Sequence, residues 1–244
     1  MTRRLLRIAG TALMLVGVLM LAWAFVVWRW EDPLTSAYTA LEQRELESSY
    51  EARVAEYERV APAADAPDES EGTPQAVSAE WLREAARRYR RASERGDVLG
   101  RLRIPRLGVD MLFVNGTDSA TLRRGPGRYA GRGSYMPGEG HLVYVAGHRT
   151  TYSAPFSHID RLEPGDRVVV EVPYATFEYR ASRHEVVRED ELRVLRSRGR
   201  EVLALQACHP RFFASHRYIV YARPVRVTTS DGGTVPTAAL VAAG

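Results

Sequence analysis

From Ile8 to Trp28 about 20 successive positions carry no charge, enough for a helix that crosses roughly 30 Å of hydrocarbon. Beyond it, Leu34, Tyr38, Leu41, Tyr50, Val54, Tyr57 and Val60 recur mostly at three- or four-residue steps among charges, the period of an amphipathic helix. Residues 61–79 turn to Ala, Pro, Asp, Glu, Ser and Gly, with Pro62, Pro67 and Pro74 interrupting any helix, which predicts a disordered linker. A second helical pattern opens at Ser78, places Trp81, Leu82, Ala85, Ala86 and Tyr89 on one face, and stops near Gly96. From Asp97 the period shortens. Runs such as Leu99–Pro105, Leu142–Gly147, Val168–Val172, Val186–Val187, Val202–Ala207 and Tyr218–Ala222 are separated by Gly and Pro turn signals such as Glu163-Pro164-Gly165-Asp166. They predict a mostly antiparallel sandwich or barrel. The last residues, from Thr228 on, are small and polar, and their apolar patch is too short to span a bilayer.

Charge orients this layout. Arg3, Arg4 and Arg7 precede the apolar run, while Arg29 after it is balanced by Glu31 and Asp32, so the positive-inside rule places the N-terminus in the cytoplasm and the rest outside. Trp23, Trp28 and Trp30 gather toward the outer end, where indoles prefer the headgroup level. A cleaved signal peptide fits less well, because the run exceeds the usual h-region and no small-x-small site follows. The 244 residues carry a formal charge of +4, and all 34 basic residues are arginine. These arginines alternate with acids along an outward-facing chain, so they read as solvated faces and not as a nucleic-acid footprint.

One cysteine is present, Cys208, at the end of the apolar run Val202–Ala207. It has no partner for an intramolecular disulfide and is either inert filling or a nucleophile. Two further features stand at strand ends: Gly147-His148-Arg149-Thr150-Thr151-Tyr152 and His216-Arg217 ahead of Tyr218–Val220. A thiolate nucleophile needs an imidazole to protonate a leaving amine and a fixed cation to stabilise oxyanion charge. These segments supply one of each. His141, His158, His184, His209 and His216 compete with His148, and Arg149, Arg211 and Arg223 with Arg217. His209 adjoins the thiol, but neighbours on a strand face opposite ways, which gives it a loop-shaping role with Pro210.

With these motifs in this order on an anchored chain, the sequence from about Leu99 to Val227 resembles the sortases, and among them most the class E or class D enzymes of actinobacteria. The resemblance implies an eight-stranded sortase β-barrel with short helices, with Cys208 as nucleophile, His148 as general acid/base and Arg217 as stabiliser of the substrate carbonyl. It implies cleavage of a C-terminal LPxTG- or LAxTG-like sorting signal through a thioacyl intermediate. The released protein then passes to an amine, of a peptidoglycan precursor or of a pilin. The implied partners are surface proteins bearing that signal, the precursor amine, and membrane lipid around the anchor. Tyr129, Tyr152 and Ala207 are candidates for the substrate groove. Ala207 stands where the family places Thr, as does Ala204 four residues before the cysteine, and Ser153 stands for the family's Gly.

The expected organisation is an anchor at 1–30, a helical stalk at 31–60, the linker at 61–79, a helix at 80–96, the catalytic domain at 97–228 and a flexible tail at 229–244. Asp32-Pro33-Leu34 matches the lid tripeptide of pilin-polymerising sortases but lies beside the membrane, far from the core. No metal-ligand spacing or phosphate loop is visible, so no cofactor and no metal are expected. Three rivals share parts of the pattern. A hydrolytic cysteine peptidase would release product to water; an L,D-transpeptidase would carry Ser-His-Gly-Cys, which is absent; a non-catalytic anchored module would bury Cys208.

Overall fold

A computed structural model describes residues 2–30, 33–60 and 78–241. The expected linker falls almost wholly outside these residues, as do Asp32 of the tripeptide and the side chains of Trp28 and Trp30.

Helix α1, Thr2–Trp30, contains the single membrane-length apolar segment among the described residues, Arg3–Val26, none of it buried by the rest of the chain. Leu, Ile, Val and Met side chains turned outward all round a helix require an apolar solvent. It is a candidate membrane anchor.

Helix α2, Pro33–Val60, is helical as expected but does not stand free as a stalk. Leu46 and Tyr50 are buried with Val98, Leu112 and Val114, whereas Leu34, Leu41 and Val60 are exposed. The docking face is a mixed one: Thr39, Gln43, Leu46, Tyr50, Arg53 and Tyr57 follow helical spacing. Gln43 Nε2 donates to the carbonyls of Leu112 (3.0 Å) and Arg124 (2.8 Å), and its Oε1 accepts the Leu112 N–H (2.8 Å). Arg53 pairs with Asp97 at 2.8 Å, and Glu47 with Arg101. The reason lies in the sheet. Strand β2, Val109–Asn115, is paired on one side along its length but on the other only at Val114 and Asn115, by the two-residue β3, Gly127–Arg128. An open strand edge is covered by a helix whose amide side chain answers its backbone groups.

Helix α3, Ala79–Arg91, begins under a Ser78 cap that accepts the Trp81 N–H and ends four residues short of the expected stop. Leu82, Ala85, Ala86 and Tyr89 enter the main core, and the Tyr89 hydroxyl donates to the Leu99 carbonyl at 2.9 Å.

The remaining strands are β1 (Val98–Ile104), β4 (Leu142–Ala146), β5 (Arg167–Val172), β6 (Ala175–Arg188), β7 (Val202–His209), β8 (His216–Thr229) and the short β9 (Thr234–Val235). They run β6-β5-β1-β2-β3-β4-β7-β8-β9, and a β6–β8 pairing closes the first eight into a barrel. Only β2–β3 and β4–β7 are parallel. Interior positions such as Leu102, Val143, Val145, Val170, Phe177, Leu203 and Val220 form one core. Strands β2 and β3 and most of β6 escape the hydrophobic pattern, since β6 alternates apolar with Glu, Arg and Ser over 14 residues.

The tail expected to be flexible is ordered as far as it is described. Strand β9 pairs with β8, and the short helix α4, Ala238–Val241, buries Leu240 completely and gives its carbonyl to the Glu201 N–H at 3.1 Å. Val235 and Leu240 are apolar enough to hold a chain of small residues on the core.

Candidate active site

Parallel pairing of β4 with β7 sets the site. The register ends at Ala146 opposite Gln206, and the Gly147 N–H continues it by donating to the Gln206 carbonyl at 3.0 Å. His148 and Cys208 each stand two residues past that last pair. On the other side of β7, antiparallel pairing with β8 puts Arg217 directly opposite Cys208. Residues directly opposite in a ladder share a face, so the Cys208 and Arg217 side chains leave the same face of the sheet at one end of the barrel.

Alternation decides which neighbours belong to that face. Leu203, Leu205 and Ala207 join the barrel core, while Ala204 joins a second, outer cluster with Leu142, Tyr144, Val187, Val194, Ile219 and Tyr221. Gln206 and Cys208 continue the outer row, and the Tyr144 hydroxyl donates to Gln206 Oε1 at 3.0 Å. Tyr129 packs beside this cluster, its ring 6.4 Å from that of Tyr144. The outer surface of β4, β7 and β8 thus floors a track leading to Cys208. Ala207 is not on it. Its side chain is fully buried inside the barrel, so the expectation of a substrate contact there is corrected by the strand's own two-residue period.

The loop after β4 holds His148. Phe156 returns its N–H to the His148 carbonyl at 3.1 Å and is fully buried against Gly147, where an added Cβ would lie 2.6 Å from the Phe156 ring. Between them Tyr152, Ser153 and Ala154 take φ of 54°, 58° and 35°, left-handed backbone that costs a non-glycine residue about 1–2 kcal/mol each. The Tyr152 ring lies 5.1 Å from the His148 imidazole at 38°. His148 Nε2 is buried without a hydrogen-bond partner. Burial, helped by the Arg123 charge, holds the imidazole pKa below its ordinary value.

Cys208 is half-buried and free, unlike an inert core thiol. Arg217 Nη1 donates to the carbonyls of Ala214 (2.6 Å) and His216 (3.0 Å), and Nη2 is 3.5 Å from the exposed Glu189 carboxylate. His209 faces away from the thiol, as the alternation requires. Its Nδ1 is 2.8 Å from Arg149 Nη1, which also donates to the Cys208 carbonyl at 3.2 Å, and Arg149 Nη2 pairs with Asp160 at 2.9 Å. Arg149, only 5% exposed, is therefore a structural cation that fixes the backbone of the cysteine. Nothing in its sequence position distinguished it from a surface arginine. Gln206 and Tyr144 belong to the same surface, and the only sequence signal for either is that Gln206 lies two residues from Cys208 on the same strand face.

Chemically the arrangement brings a thiol, a neutral-leaning imidazole and a guanidinium to one rim, the set needed for acyl transfer at a peptide carbonyl. No group of three potential metal ligands occurs among the described residues.

Comparison with known proteins agrees with this architecture. The Sortase domain family matches residues 102–225, half the chain. Sortase D of Bacillus subtilis is 30% identical over 167 residues, which span 67% of this chain and 79% of that protein. Sortase SrtE1 of Streptomyces coelicolor is 35% identical over 147 residues, 54% of this chain and 42% of that longer protein. The crystal structure of Sortase E1 from Streptomyces coelicolor with a tripeptide in the active site superposes with a TM-score of 0.53 at 30% identity, covering 56% of this chain and 93% of that one. Barrel and family match together make this a cysteine transpeptidase. The chain belongs to the sortase family, whose members act in cell-wall anchoring of proteins.

Proposed function

We propose that this chain cleaves a C-terminal LPxTG- or LAxTG-like sorting signal and joins the protein to an amine of the cell wall, with Cys208 as nucleophile, His148 as general acid/base and Arg217 as carbonyl stabiliser. The observation that carries the reading is the register: Arg217 opposite Cys208 across β7–β8, and His148 at the matching step beyond β4–β7. The Cys208 thiol gives its proton to the neutral imidazole of His148 as its sulfur attacks the Thr carbonyl; the Thr–Gly C–N bond breaks; the glycine amine leaves with that proton. The acceptor amine then attacks the thioester and gives its proton to His148, and the C–S bond breaks as the sulfur takes that proton back to restore the thiol. Arg217 faces the oxygen that gains charge in both steps, where a preorganised donor contributes most.

The same reading orders the chain in space. The three N-terminal arginines hold the short leader in the cytoplasm, α1 spans the membrane, and the barrel works outside, within reach of exported proteins and of the precursor amine.

The test is mass spectrometry of the full chain in micelles with LPxTG and LAxTG peptides, with and without an amine acceptor. The expected result is an adduct on Cys208 with the mass of the peptide through Thr, which disappears when acceptor is added and product is joined to it. Cys208→Ala gives neither adduct nor product. Release of free acid alone at saturating amine would instead fit a hydrolytic peptidase, and turnover by Cys208→Ala would refute the nucleophile.

A further inference from the structure

The turn beside His148 is held from outside the barrel. Tyr152 carries a backbone N–H in the left-handed turn, and that N–H donates to Thr35 Oγ1 of α2 at 2.9 Å, across 117 positions of sequence. One residue on, Ser153 Oγ donates to the Ser36 carbonyl at 3.4 Å. Tyr38, one turn along α2, sets its ring edge-on to Tyr152, centroids 6.3 Å apart at 74°. Tyr152 in turn tilts over His148 at 5.1 Å, with the Arg123 guanidinium 5.7 Å from its ring. Arg123 is itself placed by α2, because Thr39, fully buried, donates its hydroxyl to the Arg123 carbonyl at 2.9 Å.

Three successive non-glycine residues at positive φ do not hold themselves in place. Such a turn persists only where its surroundings over-determine it, and strained segments of this kind gather at functional sites. Within the loop, Ala154 N–H to Thr151 O at 2.9 Å and Ser157 N–H to Ala154 O at 2.8 Å close two short turns. The Tyr152 N–H is satisfied by α2 instead, and even a partly buried donor is costly to leave without its acceptor.

We infer that Thr35 and Tyr38 are positioning residues for catalysis: the first helix beyond the membrane anchor clamps the Tyr152 turn so that its ring fixes the imidazole of His148. This rests on His148 being the acid/base of the proposed reaction. It gives the docked α2 a role that a spacer would not have. Thr35 is five residues past the end of α1, so the chain that fixes the enzyme in the membrane also completes its active site.

The experiment uses the full chain in micelles and compares Tyr38→Ala, Tyr38→Phe, Thr35→Val and Thr35→Ser, with Leu41→Ala on the exposed face of α2 as control. Tyr38→Ala and Thr35→Val should each lower kcat roughly three- to tenfold, the weight of one edge-to-face ring contact or one hydrogen bond. KM should stay within about twofold, because the clamp orients a proton donor and does not hold substrate. Tyr38→Phe keeps the ring and Thr35→Ser the hydroxyl, so both should turn over like the parent. A second readout needs no turnover. The His148 Cε1–H resonance, shifted by the Tyr152 ring current, should move in Tyr38→Ala and Thr35→Val and stay in the conservative pair.

Parent-like kcat and an unmoved His148 resonance in Tyr38→Ala and Thr35→Val would overturn the inference. So would a loss confined to KM, or an equal loss in Tyr38→Phe and Thr35→Ser. A parent chain that leaves the sorting peptides intact would refute the proposed reaction instead, and the resonance would still decide whether α2 positions the imidazole.

Discussion

Arg217 faces Cys208 across the β7–β8 ladder while its Nη1 is already bound to the carbonyls of Ala214 and His216. Its Nη2 lies 3.5 Å from the exposed Glu189 carboxylate, so the guanidinium is tethered at both ends of its fork, and on the proposed mechanism a substrate carbonyl at the thiol displaces the weaker, exposed Glu189 contact. A fork held by the backbone is preorganised, and lysine cannot copy both functions. Arg217→Ala is expected to lower kcat by about 10²–10³, the usual loss of one oxyanion donor, with a smaller rise in KM. Arg217→Lys should recover only a minor part. Steady-state kinetics on a sorting peptide check this, and a loss that falls wholly on KM would remove Arg217 from the chemical step.

His148 and His209 stand on opposite sides of the thiol's strand and should behave differently. On the proposed mechanism His148→Ala removes the proton donor and should cost about 10²–10⁴ in kcat. His209→Ala removes a partner of Arg149, not of the thiol, and should lower the melting temperature with kcat down at most several-fold. Arg149→Ala should be the more damaging of the pair to stability, because Asp160 and the Cys208 carbonyl lose a buried donor together. A dead His209→Ala beside an active His148→Ala would reverse the assignment of the two imidazoles.

The candidate residues of the site are more legible in the sequence than the packing around them. Cys208 is unique, and His148 and Arg217 stand beside apolar runs, so the sequence offers a thiol, an imidazole and a cation as candidates without giving their register. Alternation likewise turned His209 away from the thiol, and the same rule, carried one residue back, sends Ala207 into the core. What stayed hidden depends on tertiary partners. The docking face of α2 reads as polar because Thr39, Gln43 and Arg53 answer backbone groups and Asp97, a match no hydropathy pattern encodes. Arg149 looks like any other arginine until Asp160 is brought beside it. Strand β2 lacks a strict alternation because both of its faces are covered: Val109 and Phe113 enter the barrel core, and Leu112 and Val114 pack with Leu46 and Tyr50 of α2.

Buried far from the thiol, Glu201 makes the fold sensitive to pH. Its carboxylate is 1% exposed and accepts from the Tyr179 hydroxyl (2.7 Å) and the N–H groups of Gly138 and Gly140 (2.9 and 3.0 Å). Burial outweighs these donors and raises its pKa from 4.5 to about 7. The folded chain therefore holds a proton that the unfolded chain releases between those values. Stability from this group is complete below pH 4.5, falls as pH rises to about 7, and is flat above, a span of about 3 kcal/mol. Denaturant unfolding at several pH values should show the decline. Glu201→Gln should flatten it while lowering stability at pH 5 by about 1–3 kcal/mol, since its amide sets a donor against the Gly140 N–H. An unchanged slope in that variant would assign the decline to other groups.

At position 207, one residue before Cys208, an alanine stands where the resemblance to sortases places threonine, and the structure packs it into the core. Ala207 is fully buried and belongs to the same interior cluster as Leu203, Leu205, Val145 and Val220. Two added heavy atoms, one of them a hydroxyl, would enter a space packed like a crystal. Ala207→Thr is expected to destabilise the fold by about 1–3 kcal/mol, through overpacking and a polar group without a buried partner. The loss should appear as a lower Tm, and KM for a sorting peptide should hold, because the added atoms face away from the track on the outer surface of β7. Any fall in kcat should be shared between LPxTG and LAxTG peptides, since a strained strand displaces Cys208 without regard to the signal. A variant of parental Tm that gains kcat/KM on one peptide and not the other would return position 207 to recognition and place a cavity behind the nucleophile.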